Sequence, residues 1–301
     1  MAGLVTITAK AREGRRKGTQ RGCLLLALIA ISLCCSISAS GQDDSFRIMT
    51  FNIRFDNPSD GINAWENRKD FVTVTLLELS PEVIGMQEVL EHQATYIDEN
   101  LPGYAYVGVG RDDGRTAGEY SPVFYKQDRF EVIDWGTLWL SETPYDTGSV
   151  GWDALLPRIC TWVKFKDLQS EQDLFFLNTH FDHVGELART ESARLIVDFI
   201  QQHAKDLKVI LTGDFNCTPD DDPYHILVGE GSGLVDACAH PEFAESCAEG
   251  TFNGFGHYSH PGRIDMILVK YIREVVDYQV IKAMQGEMYI SDHWPVMVTL
   301  R

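Results

Sequence analysis

Six short stretches set acids, amides and histidines in or beside apolar runs. "SDHWPV" places Asp292 next to His293, ahead of a Trp-Pro and a last apolar run. "FFLNTHFDH" offers Asn178, His180, Asp182 and His183, and "VILTGDFN" offers Asp214 and Asn216. "IGMQE" ends in Gln87 and Glu88, "TFN" in Asn52, and "GRIDMIL" puts Asp265 inside an apolar stretch. Any one of these could cap a helix or close a turn. Six such places are hard to explain by capping, because buried acids and amides need partners or a cation. Asp, Glu and Asn are hard oxygen donors suited to Mg2+, Mn2+ or Ca2+. Two histidines with carboxylates nearby suit phosphate contact and proton transfer. Other chemistries lack their signatures. "GEGSGL" holds Ser232 out of register for a G-x-S-x-G elbow, no P-loop occurs, and "GVGRDDG" lacks the third glycine of a dinucleotide fingerprint. No C-x-x-C or Cys/His spacing suggests zinc.

These residues need strands to carry them. "FRIMTFNI", "SPEVIGMQEV", "YAYVGVG", "SPVFYK", "FEVIDWGTLWL", "ICTWVKFK", "DLFFLNTHF", "LKVILTGDFN", "RIDMILV", "REVVDYQVIKA" and "HWPVMVTL" read as strands bounded by turn residues. Trp65 to Leu79 and His92 to Asn100 read as helices. The clearest helix is "GELARTESARLIVDFIQQHA", with Leu187, Leu195, Val197, Phe199 and Ile200 as its apolar residues. Strands both alternate with helices and meet one another in hairpins. That predicts an α/β fold of two mixed sheets packed face to face with helices outside, and argues against a purely parallel sheet. Trp65 and Trp152 are expected to be packing residues.

The 301 residues divide at the N-terminal end. Six basic residues precede the uncharged run "CLLLALIAISLCCSI", and small residues follow it. Residues 1–40 therefore read as a cleaved secretory signal, with a membrane anchor as the rival, and residues 45–301 as one domain. Beyond residue 40 the basic residues number 20 and the acidic ones 43, so the exported part carries about −23. Such a surface disfavours a large nucleic-acid footprint, though it allows a local cleft neutralised by a cation. In an exported chain, Cys238 and Cys247 could pair.

"TFNIR", "GMQE", "NTHFD", "TGDFN", "GRIDMI" and "SDHWPV", in this order and spacing, resemble the endonuclease/exonuclease/phosphatase superfamily over about Phe46 to Leu300. "INAWENRKDFV" and "GEYSPVFYKQDRFEVIDWGTLWLSETP" look most like its secreted or cytoplasmic bacterial branch of metal-dependent hydrolases. The resemblance implies a four-layer, deoxyribonuclease I-like sandwich. It implies that Glu88, with Asn52 and Asp292, holds a divalent metal: Mg2+, or else Mn2+ or Ca2+. By the same likeness Asp214 orients or deprotonates the attacking water, and Asn216 holds that water or a phosphoryl oxygen. His293 contacts the scissile phosphate, Asp265 fixes its tautomer, and His180 donates to a phosphate oxygen. Arg54, Glu119 and Arg158 are expected at the cleft mouth, each with a surface ion pair as the rival. His183 is expected at the substrate or at a helix N-terminus, and Arg263 is a rival partner for Asp265. The implied activity is water attack on a phosphomonoester or phosphodiester, with a small-molecule or nucleic-acid partner. A small phosphoester ranks first, then an extracellular nuclease substrate, then a phospholipid or sphingolipid head group. A non-catalytic binding protein on the same fold is the reading from another class. No obligate protein partner and no stable membrane association after cleavage are expected.

Overall fold

The structure is a computed structural model that describes residues 44–301. The expected signal, residues 1–40, lies outside the described residues. Among the described residues no helix is long and apolar enough to cross a membrane.

The first strand, β1 (Phe46–Asn52), is buried on both faces. Phe46 and Ile48 enter one apolar layer, and Met49 and Phe51 another. A strand covered on both sides reads as a continuous apolar run, which is why "FRIMTFN" shows no alternation. Helix α1 (Trp65–Leu79) follows and ends at Ser80, whose φ of 47° closes the last turn with an N–H bond to the Leu76 carbonyl. Then come β2 (Val83–Gln87), α2 (Glu91–Asn100), β3 (Tyr104–Val107) and β4 (Val123–Lys126). The second half begins with β5 (Phe130–Trp139), β6 (Ile159–Asp167), β7 (Asp173–His180) and α3 (Glu186–His203). It continues through β8 (Lys208–Asp214), α4 (Asp222–Leu227), β9 (Val235–Asp236) and β10 (Asp265–Lys270). The chain closes with β11 (Val275–Val280), a small hairpin of β12 (Met284–Gln285) and β13 (Met288–Tyr289), and β14 (Val296–Leu300).

Two six-stranded sheets result, in the orders β11-β14-β1-β2-β4-β3 and β5-β6-β7-β8-β10-β9. In each, the two central strands, β1/β2 and β7/β8, are parallel and the other pairings are antiparallel. One apolar layer lies between the sheets, built from residues such as Ile48, Val83, Phe165, Phe176, Ile210, Val296 and Val298. A second packs the first sheet against α1 and α2 through Met49, Phe51, Trp65, Leu76 and Ile97. A third packs the second sheet against α3 through Leu177, Ile196, Phe199 and Leu211. This is the expected four-layer α/β sandwich.

Two expectations change. Leu187 does not face the core: it is 51% exposed, and α3 buries Ala188, Ser192, Ala193, Ile196, Phe199 and Ile200 instead. The helix start is set from outside, since Asp153 accepts the Leu187 and Ala188 N–H groups and so caps it. Asn178 and Gln87 are not cleft residues either. Both are fully buried between the sheets, where Gln87 Nε2 donates to Asn178 Oδ1 at 2.7 Å and to Thr50 Oγ1 at 3.1 Å. Thr212 Oγ1 also donates to Asn178 Oδ1, and Asn178 Nδ2 donates to the Met86 and Pro122 carbonyls. The sheets approach so closely here that a Cβ on Gly85 would lie 2.1 Å from Thr212 Oγ1 and 2.5 Å from Asn178 Oδ1. A strand glycine often marks such an approach.

Candidate active site

The strand ends converge. Asn52 ends β1, Glu88 follows β2, His180 ends β7, Asp214 ends β8, Asp265 opens β10, and Asp292 with His293 precedes β14. They gather at one cleft of about 580 Å³. Arg54, Glu88, Glu119, Arg158, His180, His183, Asp214, Asn216, Asp292 and His293 line it. Asn52 and Asp265, 0% and 1% exposed, stand behind its wall and hold the lining groups.

Asp214 is the hub. Its Oδ2 accepts from Asn52 Nδ2 at 2.9 Å and lies 3.5 Å from His180 Nε2 and 3.7 Å from His293 Nε2. Its Oδ1 accepts the Asn216 backbone N–H at 3.0 Å, the Asx turn that bends the chain into the cleft. Asn216 Nδ2 donates to the Phe181 carbonyl, which leaves a second amide N–H. Burial, and then the charge of Asp265, push the Asp214 carboxyl up to about 7. A carboxylate so placed can take a proton near neutrality.

The two histidines are driven apart. Burial pulls His293 down, but Asp265, then Asp214, outweigh it and hold its pKa well above 6.5. The Asp265 bond is direct, Oδ2 to Nδ1 at 2.8 Å, so Nε2 is left facing Asp214 and the cleft. Arg263, the rival partner for Asp265, pairs with Asp236 instead. His180 goes the other way: burial first, then Arg158 and Arg111, hold it well below 6.5. The surroundings thus favour the charged form of one imidazole and the neutral form of the other, which separates their roles.

Opposite Asp214 stand two more acids. Glu88 Oε1 accepts from Asn52 Nδ2 at 3.1 Å, and Oε2 accepts the Phe55 N–H. Burial, opposed next by His293, and the charge of Glu88 raise the Asp292 carboxyl. The Arg54 guanidinium reaches both, 3.9 Å from Glu88 Oε2 and 3.7 Å from Asp292 Oδ2. A cation already occupies the electrostatic niche that a divalent ion would take, and the oxygen donors suit Mg2+ or Mn2+. Glu88 and Asp292 therefore fit a metal. Asn52 departs from the simplest form of that set, because it turns Nδ2 to Glu88 while its Oδ1 accepts the Arg54 backbone N–H. Asp214, Asp265 and His293 also place donor atoms within 4.8 Å of one another and form a possible metal-holding group. In that group Nδ1 of His293 is already bonded to Asp265.

The rim differs from the surface pairing weighed for it. Arg158, 4% exposed, reaches Asp182 Oδ2 at 3.3 Å, and His183 Nδ1 at 2.8 Å. Glu119 takes a bidentate grip from buried Arg111, at 2.8 and 3.0 Å, and lies 4.0 Å from His180 Nδ1. Burial, and then Glu88, raise the Glu119 carboxyl.

Several supporting residues were invisible beforehand. Arg68, fully buried in α1, donates to the carbonyls of Asn63, Ile290 and Arg54. Ser291 Oγ donates to the Asn52 carbonyl at 2.7 Å and so ties the last segment to β1. Asn253 and Gly254 present their N–H groups to the Asp292 carbonyl, and Trp294 N–H bonds Thr251. Arg54, Glu88 and Asn216 all have left-handed φ, 59°, 59° and 45°. Such a conformation costs a non-glycine residue about 1 to 2 kcal/mol, and it clusters at functional sites.

The Endonuclease/Exonuclease/phosphatase family model matches residues 49–293. An endonuclease/exonuclease/phosphatase from Bacteroides vulgatus is 40% identical, with a TM-score of 0.79 over 85% of this chain and 98% of that one. The mannosyl-6-phosphatase of Bacteroides thetaiotaomicron is 37% identical, with a TM-score of 0.77 over 85% and 99%. Protein angel of Drosophila melanogaster is 30% identical over 191 residues, 60% of this chain and 51% of its own length. The chain thus spans about half of that relative.

Proposed function

The chain belongs to the endonuclease/exonuclease/phosphatase family and is a hydrolase of phosphoester bonds, and from that premise we propose that it is an exported, divalent-metal-dependent phosphatase of small phosphoesters, phosphorylated sugars foremost. The observation that carries the reading is the opposed arrangement around Asn52. The Asp265–His293–Asp214 chain faces the Glu88/Asp292 pair across one cleft.

Each group then has a task. Asp214, with its carboxyl near 7, takes the proton of the attacking water, and Asn52 holds its Oδ2 in place. Charged His293 donates Nε2–H to a phosphoryl oxygen and stabilises the charge that grows there. Asp265 keeps that ring in one tautomer. Neutral His180 and the remaining N–H of Asn216 donate to further phosphoryl oxygens. Glu88 and Asp292 would hold Mg2+ or Mn2+, which when bound neutralises phosphoryl charge and lowers the pKa of water. Arg158, held by Asp182 and donating to His183 Nδ1, would offer its remaining N–H groups to the substrate.

The mannosyl-6-phosphatase likeness and the acidic surface support a small substrate over a nucleic acid. The signal-like residues 1–40 and the Cys238–Cys247 disulfide support export. The test is a screen of the purified protein with Mg2+ or Mn2+ against sugar phosphates, RNA, single-stranded DNA and phospholipid vesicles. Inorganic phosphate released from sugar phosphates, and lost in His293→Asn, is expected. Preferential cleavage of nucleic acid or lipid would overturn the substrate, and no turnover at all would favour a binding protein.

A further inference from the structure

Arg54 lines the cleft and is tied down on several sides. Its backbone carbonyl accepts from Arg68 Nη2 at 2.8 Å and Gln93 Nε2 at 3.0 Å. Its guanidinium grips Asp60 with Nε at 3.0 Å and Nη2 at 3.2 Å, and lies 4.4 Å over the Phe55 ring. Held at both ends, the same group lies 3.7 Å from Asp292 and 3.9 Å from Glu88. One fixed cation therefore faces the two acids that fit a metal.

We propose that Arg54 is a tethered counter-cation: shared with Asp60, it partly offsets the charge of Glu88 and Asp292 when no divalent ion is bound, competes with the ion for them, and so keeps metal affinity low and the metal exchangeable. Without it, two acids would face each other across a desolvated floor, and the empty site would strain the surrounding segments. With it, an incoming ion meets a like charge on the ligands it needs. Coulomb repulsion at this range weakens binding without any loss of ligand. The inference rests on Glu88 and Asp292 being the metal ligands.

Calorimetric titration with Mn2+ alone tests it. Arg54→Gln is expected to bind Mn2+ at least ~10-fold tighter than the unaltered protein. Arg54→Lys, which keeps the charge, is expected to stay within roughly threefold. In EDTA, Arg54→Gln should melt lower than the unaltered protein, and saturating Mn2+ should close that gap. Should the variant fail to fold without metal, the Mn2+ concentration that restores its circular dichroism gives the affinity instead. Equal or weaker binding by Arg54→Gln overturns the proposal and leaves Arg54 as a substrate contact or a brace. Glu88→Gln separates the two levels. If it loses Mn2+ binding while Arg54→Gln gains nothing, only the counter-cation idea fails. If it binds as the unaltered protein does, the ligand assignment itself fails.

Discussion

Asp265→Asn is the substitution that most directly probes the role proposed for the His293 imidazole. The carboxylate is 1% exposed, its ring partner 5%, and they are 2.8 Å apart. Asparagine keeps the shape and can still accept the Nδ1–H bond, so the fold should hold and the lost quantity is charge. Hydrogen bonds to charged groups contribute about 1.5 to 3 kcal/mol, so a full loss in the transition state lowers kcat about 10- to 150-fold. The pH profile should change as well. Burial still pulls His293 down in the variant, but the largest upward influence on it is gone, so the alkaline limb moves to lower pH. Asp214 is pushed up by burial and next by Asp265, so its pKa also falls and the acid limb follows. The whole bell shifts acidward. Stability gives an independent sign. A histidine whose folded pKa exceeds its unfolded value contributes stability that is complete below 6.5 and fades as pH rises through the folded pKa. The melting difference between the two proteins should therefore be largest below 6.5 and shrink in alkaline buffer. Phosphate-release kinetics from acid to alkaline pH, with matched melts, measure both. A loss in kcat under about threefold with an unmoved profile would refute the orienting role of Asp265.

Arg68→Met would strip donors from three carbonyls in the interior and should cost about 3 kcal/mol or more, read by urea unfolding. A cost below about 1 kcal/mol would mean water replaces the guanidinium. Gly85→Ala would drive its methyl into Thr212 and Asn178 and should lose at least about 1 to 3 kcal/mol, together with activity, because both sheets carry site residues. Unchanged stability would show that the sheets can separate without penalty.

The cleft positions could be read because they sit at the ends of apolar strands, where a polar residue has few bland explanations. Asp214, Asp265, Asp292, His180 and His293 all announce themselves this way. The same signal misreads Asn178 and Gln87, whose amides stitch the sheets together; residue type cannot tell a partner across the core from a substrate. Arg68 could not be found, since a charge in an amphipathic helix reads as solvated and only tertiary packing brings the three carbonyls to it. The α3 stripe failed at Leu187 because that residue lies in the first turn, next to a helix start fixed by distant Asp153. Left-handed φ at Arg54 and Glu88 leaves no mark in residue type, whereas Asn216 is of a type that adopts it readily.

The two strand orders carry a last consequence. Aligned from β11 and from β5, the sheets have the same sequence of parallel and antiparallel neighbours, and the connections match too: β1-α1-β2 with β7-α3-β8, and β3-β4 with β9-β10. The molecule is a topological dyad in which one half borrows its opening strands, β11 and β14, from the far end of the sequence. Corresponding positions then carry different residue types. Asn52 answers His180, Gln87 answers Asp214 with Glu88 one residue beyond it, and the Asp292-His293 segment ahead of β14 answers Arg158 ahead of β6. On the proposed reading, one half of the dyad would supply the place for a cation and the other the groups that handle protons and phosphoryl oxygens, with hydrolysis on the seam between them.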